Sequence, residues 1–141
     1  MIIEQLSVFV ENKSGRIFEV MQILGDAQIN VSALSIADTS DYGIVRLILS
    51  NPEEGFNLLK ANGFSVQKTP VIGCKVPNTP GGLKKILSYL VKDEISIEYM
   101  YAFSMGEDAS IILRTEDCNK TIDCLAKHKM ELLTTSEIYE I

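Results

Sequence analysis

The sequence predicts an α+β fold in which one β-α-β-β-α-β unit is written twice. Three observations carry that prediction. The halves align without a gap at an offset of 66 residues, the apolar register repeats across that offset, and an Asn-x-x-Gly turn recurs as Asn12–Gly15 and Asn78–Gly81. Internal repetition of this kind sets the architecture before any motif does. Identity between the halves is low, nine matches in 75 overlapping pairs, so the register carries the argument.

Each element follows from its periodicity. Leu6, Val8 and Val10 alternate at period 2 and fall on Ile72, Cys74 and Val76, which predicts the first strand of each half. Ile17, Val20, Met21 and Leu24 occupy i, i+3, i+4 and i+7 and fall on Leu83, Ile86, Leu87 and Leu90, one face of a helix. Two β-rich stretches follow, around Ile29–Ala37 and Ile44–Leu49, joined by the polar turn Asp38–Gly43 as a hairpin. A second helix opens at Asn51-Pro52-Glu53-Glu54, where Asn caps, Pro fits the first helical position and the third-position Glu closes a capping box. Asp117 takes the place of Asn51 in the second half. Gly63 ends that helix, and Phe64–Lys68 is the last strand of the first half. This order is the split βαβ, or ferredoxin-like, unit: a four-stranded antiparallel sheet with two helices on one face. Domains are expected at residues 1–69 and 70–141, meeting near Thr69-Pro70 without a flexible linker and packed together.

Composition narrows the function. The net charge of −6 is shared evenly, −3 in residues 1–68 and −3 in residues 69–141, and Lys84-Lys85 is the one short basic patch. Nucleic acid is therefore excluded as an expected partner, because binding it needs clustered cations. Three cysteines make no complete disulfide framework. The absence of a Cys-x-x-Cys pair and a single histidine, His128, leave no zinc site by ligand count. Without an apolar run of membrane length or a signal-like start, a cytoplasmic protein with no membrane partner is expected.

The strand-to-helix turn is the most informative segment for function. It reads Glu11-Asn12-Lys13-Ser14-Gly15-Arg16 in one half and Pro77-Asn78-Thr79-Pro80-Gly81-Gly82 in the other. Glycine there permits positive φ or a close backbone approach. The following helix aims unpaired N–H groups and a partial positive charge at the turn, which suits a carboxylate. The Asn amide both donates and accepts, so a free amino acid fits. Asn and Gly are also what any tight turn needs; their recurrence in one predicted geometry favours a ligand.

On these segments, running on into Gly25–Val31 and Glu94–Ile97, the whole chain resembles a stand-alone tandem ACT-domain protein. The resemblance implies regulatory modules that bind amino acids or similar ligands at interfaces between units, with no catalysis and no cofactor. It implies Asn12, Ser14, Gly15, Arg16 and Asn30 as ligand contacts in one half, with Asn78, Gly81, Gly82 and Ser96 in the other. Two departures stand out: Ser14 replaces the family's usual Pro, which Pro80 retains, and Ser96 stands where Asn is common. One half is thus a candidate for a purely structural role.

Other residues point elsewhere. Ile97, Tyr99, Tyr101, Phe103 and Met105 alternate along one strand with Met100 on its other face, which fits sheet packing under helices, or a subunit interface or ligand wall. Cys118 opens a helix, where the dipole lowers a thiol pKa, yet lacks an adjacent His or Lys, which favours a structural role. His128, between two lysines, is expected in solvent. An acylphosphatase-like hydrolase would need a glycine-rich loop with a fixed Arg, and none is present. The expectation is a non-catalytic amino-acid sensor, homodimeric and acting on a partner enzyme; the alternative is a ligand-independent dimeric module on such an enzyme.

Overall fold

The structure, a computed structural model, describes residues 2–11, 13–38, 41–105 and 107–139. The elements are β1 (Ile2–Glu11), α1 (Arg16–Asp26), β2 (Val31–Asp38), β3 (Tyr42–Leu49), α2 (Pro52–Ala61) and β4 (Ser65–Pro77). They continue as α3 (Gly82–Lys92), β5 (Ile97–Met105), β6 (Asp108–Thr115), α4 (Cys118–Lys127), β7 (Glu131–Leu132) and α5 (Thr135–Tyr139). Two compact units result. The first is Glu4–Thr69 with Ser136–Ile141, the second Pro70–Thr135 with Met1–Ile3.

The first unit orders its strands β2-β3-β1-β4 and the second β5-β6-β4-β7, the ferredoxin-like order twice. The repeat extends to register. Leu6 faces Leu47 and Val8 faces Val45 in the first unit; Ile72 faces Leu113 and Cys74 faces Ile111 in the second. These residues, with Val20, Leu24 and Leu59 or with Ile86, Leu90 and Leu125, are the buried core of their units. Burying a Val, Leu or Ile side chain contributes about 1.5–3 kcal/mol, so the shared apolar register holds both sheets to the same pairing.

Helix ends repeat too. Each of the four long helices closes on a left-handed residue: Gln28 and Glu94 at one offset pair, Gly63 and Lys129 at the other. The next residue, Ile29, Phe64, Ile95 or Met130, returns its N–H to the helix carbonyl five residues back. That is the Schellman closure with its apolar follower.

Four readings of the sequence need correction. The strand expected to stop at Lys68 continues as one 13-residue strand to Pro77, serving as last strand of one unit and first of the next. Ile17 and Leu83, assigned to buried helix faces, are 36% and 38% exposed. They lie in the first helical turn, whereas the fully covered residues of these helices, Val20 and Leu24 or Ile86 and Leu90, come later. A register shift between Ile97 and Tyr99 changes the phase of β5. Ile97 and Met100 therefore pack on the helix-side core, which does not include Tyr99, Tyr101 or Phe103. The chain ends also depart from a simple split. Ile3 packs over Gly73, where its Cδ1 and the Leu133 side chain occupy the space a Cβ would need. The Tyr139 hydroxyl on α5, a helix absent from the sequence reading, accepts the Glu4 N–H at 3.0 Å. Asn12 and two residues of the Asp38–Gly43 turn, Thr39 and Ser40, lie outside the described residues.

Candidate functional site

Gly15 and Gly81 occupy the N-cap positions of α1 and α3 with φ, ψ of 91°, −11° and 84°, −5°. An L side chain at such φ is strained whatever room surrounds it, so the backbone requires glycine twice. Each turn is closed locally by its own backbone: the Arg16 N–H donates to the Lys13 carbonyl at 3.3 Å, and the Gly82 N–H to the Thr79 carbonyl at 3.0 Å.

The N-termini of the helices divide into two kinds. Asn51 Oδ1 accepts the Glu54 N–H at 3.2 Å, and Asp117 Oδ1 accepts the Lys120 N–H at 3.1 Å, so α2 and α4 are closed by side chains. No side chain among the described residues caps α1 or α3. Beyond the Arg16 and Gly82 N–H groups that close the turns, the first-turn N–H groups lie at the positive end of the helix dipole. Beside them are the apolar side chains Ile17 and Phe18, 36% and 68% exposed, and in the second unit Leu83.

Side chains make the turns unequal. Arg16 lies back along its unit: Nη1 bonds Glu19 Oε2 at 2.7 Å, and the guanidinium sits 4.5 Å from the Phe64 ring centroid. Its Nε is buried without a hydrogen-bond partner among the described residues. Lys13 pairs with Glu11 at 2.8 Å and holds that carboxyl below its ordinary value. Ser14 is exposed. In the second turn a Cβ at Gly82 would collide with the Pro77 carbonyl oxygen, so glycine there serves close packing. Asn78 is exposed and its N–H donates to the Glu107 carbonyl at 2.8 Å.

Asn30 and Ser96 are elsewhere. They follow the C-terminal ends of α1 and α3, 11-residue helices of about 16 Å at 1.5 Å per residue. Ser14, Gly15 and Arg16 are thus together and Asn30 apart; Asn78, Gly81 and Gly82 are together and Ser96 apart. The Asn30 N–H donates to Ser50 Oγ at 2.9 Å, and its carbonyl accepts the Ser50 N–H at 2.9 Å. Ser96 lines a cavity of about 700 Å³ in the second unit with Arg114, Asp117, Cys118 and Lys120. Arg114 there is engaged, Nη1 with the Pro70 carbonyl at 2.9 Å and Nε with Glu98 at 3.3 Å. Sequence reading missed this cavity, because its walls come from four separate elements.

Cys118 and His128 resolve differently. Burial pushes the Cys118 thiol up, outweighing the nearby Arg114 charge, which leaves the structural reading of this residue. His128 is not in open solvent: its ring stacks on Tyr89 with centroids 4.0 Å apart and planes 3° from parallel. The ring of α3 that covers it is invisible in a sequence where lysines flank the histidine. No helix among the described residues is long and apolar enough to cross a membrane.

Comparison with known proteins adds the lineage. Residues 1–141 match the family model described as an ACT domain pair. Protein BT0572 from Bacteroides thetaiotaomicron is similar over 100% of this chain and 98% of its own, with 42% identity and a TM-score of 0.97. The ligand-free regulatory subunit of aspartate kinase from Thermus thermophilus covers 88% of this chain and 91% of its own at 14% identity, with a TM-score of 0.68. A C-terminal regulatory domain assigned to aspartate kinase from Porphyromonas gingivalis covers 90% and 93% at 14% identity, with a TM-score of 0.55. The last two likenesses establish shared fold only. Among curated proteins, none matches this chain significantly in sequence.

Proposed function

The chain belongs to the ACT domain pair family, and we propose that it is a non-catalytic regulator that binds an amino acid at its β1–α1 and β4–α3 turns. The observation behind this reading is the contrast between capped and uncapped helices. α2 and α4 use an Asn or Asp on their own N-termini, whereas no described side chain caps α1 or α3, each of which follows a left-handed glycine. A ligand carboxylate accepts from those N–H groups, and its amine or side chain meets Asn12 or Asn78. Ser14, Gly15 and Arg16 shape one subsite; Gly81 and Gly82 shape the other. Asn30 and Ser96, a helix length away, serve the turn of an ACT unit on a second copy, which makes the working form a homodimer. The regulatory subunits of aspartate kinase that share the fold support a role in controlling a partner enzyme.

Thermal unfolding against the twenty amino acids, one at a time, tests this. A ligand at about 100 times its Kd adds roughly 2.7 kcal/mol, and the paired change Asn12→Ala with Asn78→Ala should abolish the gain. If the shift survives that pair of substitutions, the ligand binds elsewhere. A flat panel favours the second reading, a ligand-independent dimeric module on a partner enzyme, which draws on Leu34 and Ile36, 49% and 45% exposed on β2, and on Tyr99, Tyr101 and Phe103.

A further inference from the structure

Ligand count in the sequence argues against a metal site, but the fold adds a donor from another helix. Cys124 and His128 are four residues apart at the C-terminal end of α4, a spacing that puts both on one helix face. Asp93 is the C-cap of α3. The donor atoms of Asp93, Cys124 and His128 all lie within 4.8 Å of one another. The imidazole plane is set by its stacking on Tyr89, and Nε2 is buried with no hydrogen-bond partner among the described residues. Cys124 is buried, with Sγ donating to the Tyr89 carbonyl at 3.4 Å. A cavity of about 370 Å³ lined by Asp93, Asp123, Cys124 and Lys127 gives a route in from solvent.

We propose that Asp93, Cys124 and His128 form a binding site for one thiophilic divalent cation, with Zn²⁺ the best match. A thiolate, an imidazole and a carboxylate are the donor types Zn²⁺ takes, and three protein ligands leave a fourth tetrahedral position open to water or an external ligand from the cavity. Bonds of about 2.0–2.3 Å put tetrahedral donors about 3.5 Å apart, so the donors close by about an ångström on binding. The Asp93 carboxyl has the freedom for this. Besides the Cys124 thiol its partner is Lys127 Nζ at 3.3 Å, a side chain 62% exposed that can turn to solvent. The Cys124 thiol gives its proton to solvent as the Sγ–metal bond forms. The site ties the end of α3 to α4, and only in the second unit: the corresponding positions of the first are Ala27, Leu58 and Asn62.

Titration of the full chain with Zn²⁺ alone, then with Co²⁺ as a spectroscopic probe, tests the assignment. One equivalent should bind, giving a thiolate-to-cobalt charge-transfer band and protecting Cys124 from alkylation. The band should survive the joint change Cys74→Ser with Cys118→Ser and vanish in Cys124→Ser. Asp93→Asn, which alters a partly exposed helix end, should keep the far-ultraviolet circular dichroism and weaken Zn²⁺ binding by about tenfold or more. The proposal fails if no equivalent binds, if Cys124 stays as reactive with Zn²⁺ as without it, or if the band persists in a folded Cys124→Ser chain.

Discussion

At the first turn a guanidinium folds over Phe64 and reaches Glu19, with one of its nitrogens buried and without a partner among the described residues; at the second turn the same place in the repeat is Gly82, pressed against a carbonyl. The backbones nevertheless agree within several degrees at Gly15 and Gly81. Duplication has thus kept the main-chain feature and let the side chains diverge. A carboxylate on helix N–H groups needs only the backbone, so both turns retain the means to hold one. What differs is the residue that opens each helix, Arg16 in the first unit and Gly82 in the second.

Substitutions at the equivalent positions sharpen that contrast. The largest effect is expected at Gly82→Ala, whose Cβ meets backbone that cannot swing aside. A loss of about 2–3 kcal/mol should appear in urea unfolding of the full chain, and a neutral result would mean that the second turn is not packed as described. Next come Gly15→Ala and Gly81→Ala. Nothing lies within 4 Å of either missing Cβ, so the cost is conformational, about 1–2 kcal/mol each, and nearly equal. Unequal losses would show that the two turns do not share a backbone. Arg16→Ala is the smallest, about 0.5–1 kcal/mol, from a cation–π contact and one partly screened ion pair. Calorimetry resolves that difference, and a loss above about 2 kcal/mol would give Arg16 a larger structural share than its contacts account for.

The sequence carried the architecture well where a local rule is strong. The Asn51-Pro52 and Asp117 helix starts are where capping chemistry puts them, and the β1–β3 register follows the alternation of Leu6-Val8 against Val45-Leu47. Its failures share a cause. Ile17 and Leu83 obey the helical period but sit at a helix end beyond the covered stretch, which periodicity cannot register. Ile97 obeys the period of β5 until a bulge shifts its phase. The Cys124-x-x-x-His128 spacing was a readable signal, but only with a third donor does it suggest chemistry.

By itself, then, the sequence determined the repeat, the β-α-β-β-α-β order of each unit, the sheet pairing and the two glycine turns, because each rests on short-range periodicity or on a backbone conformation that one residue type allows. Tertiary structure alone decided the exchange of chain ends, the continuity of β4, the laying of Arg16 on Phe64 and the meeting of Asp93 with Cys124 and His128. Those depend on contacts between residues far apart in the chain, for which neither propensity nor spacing leaves a trace.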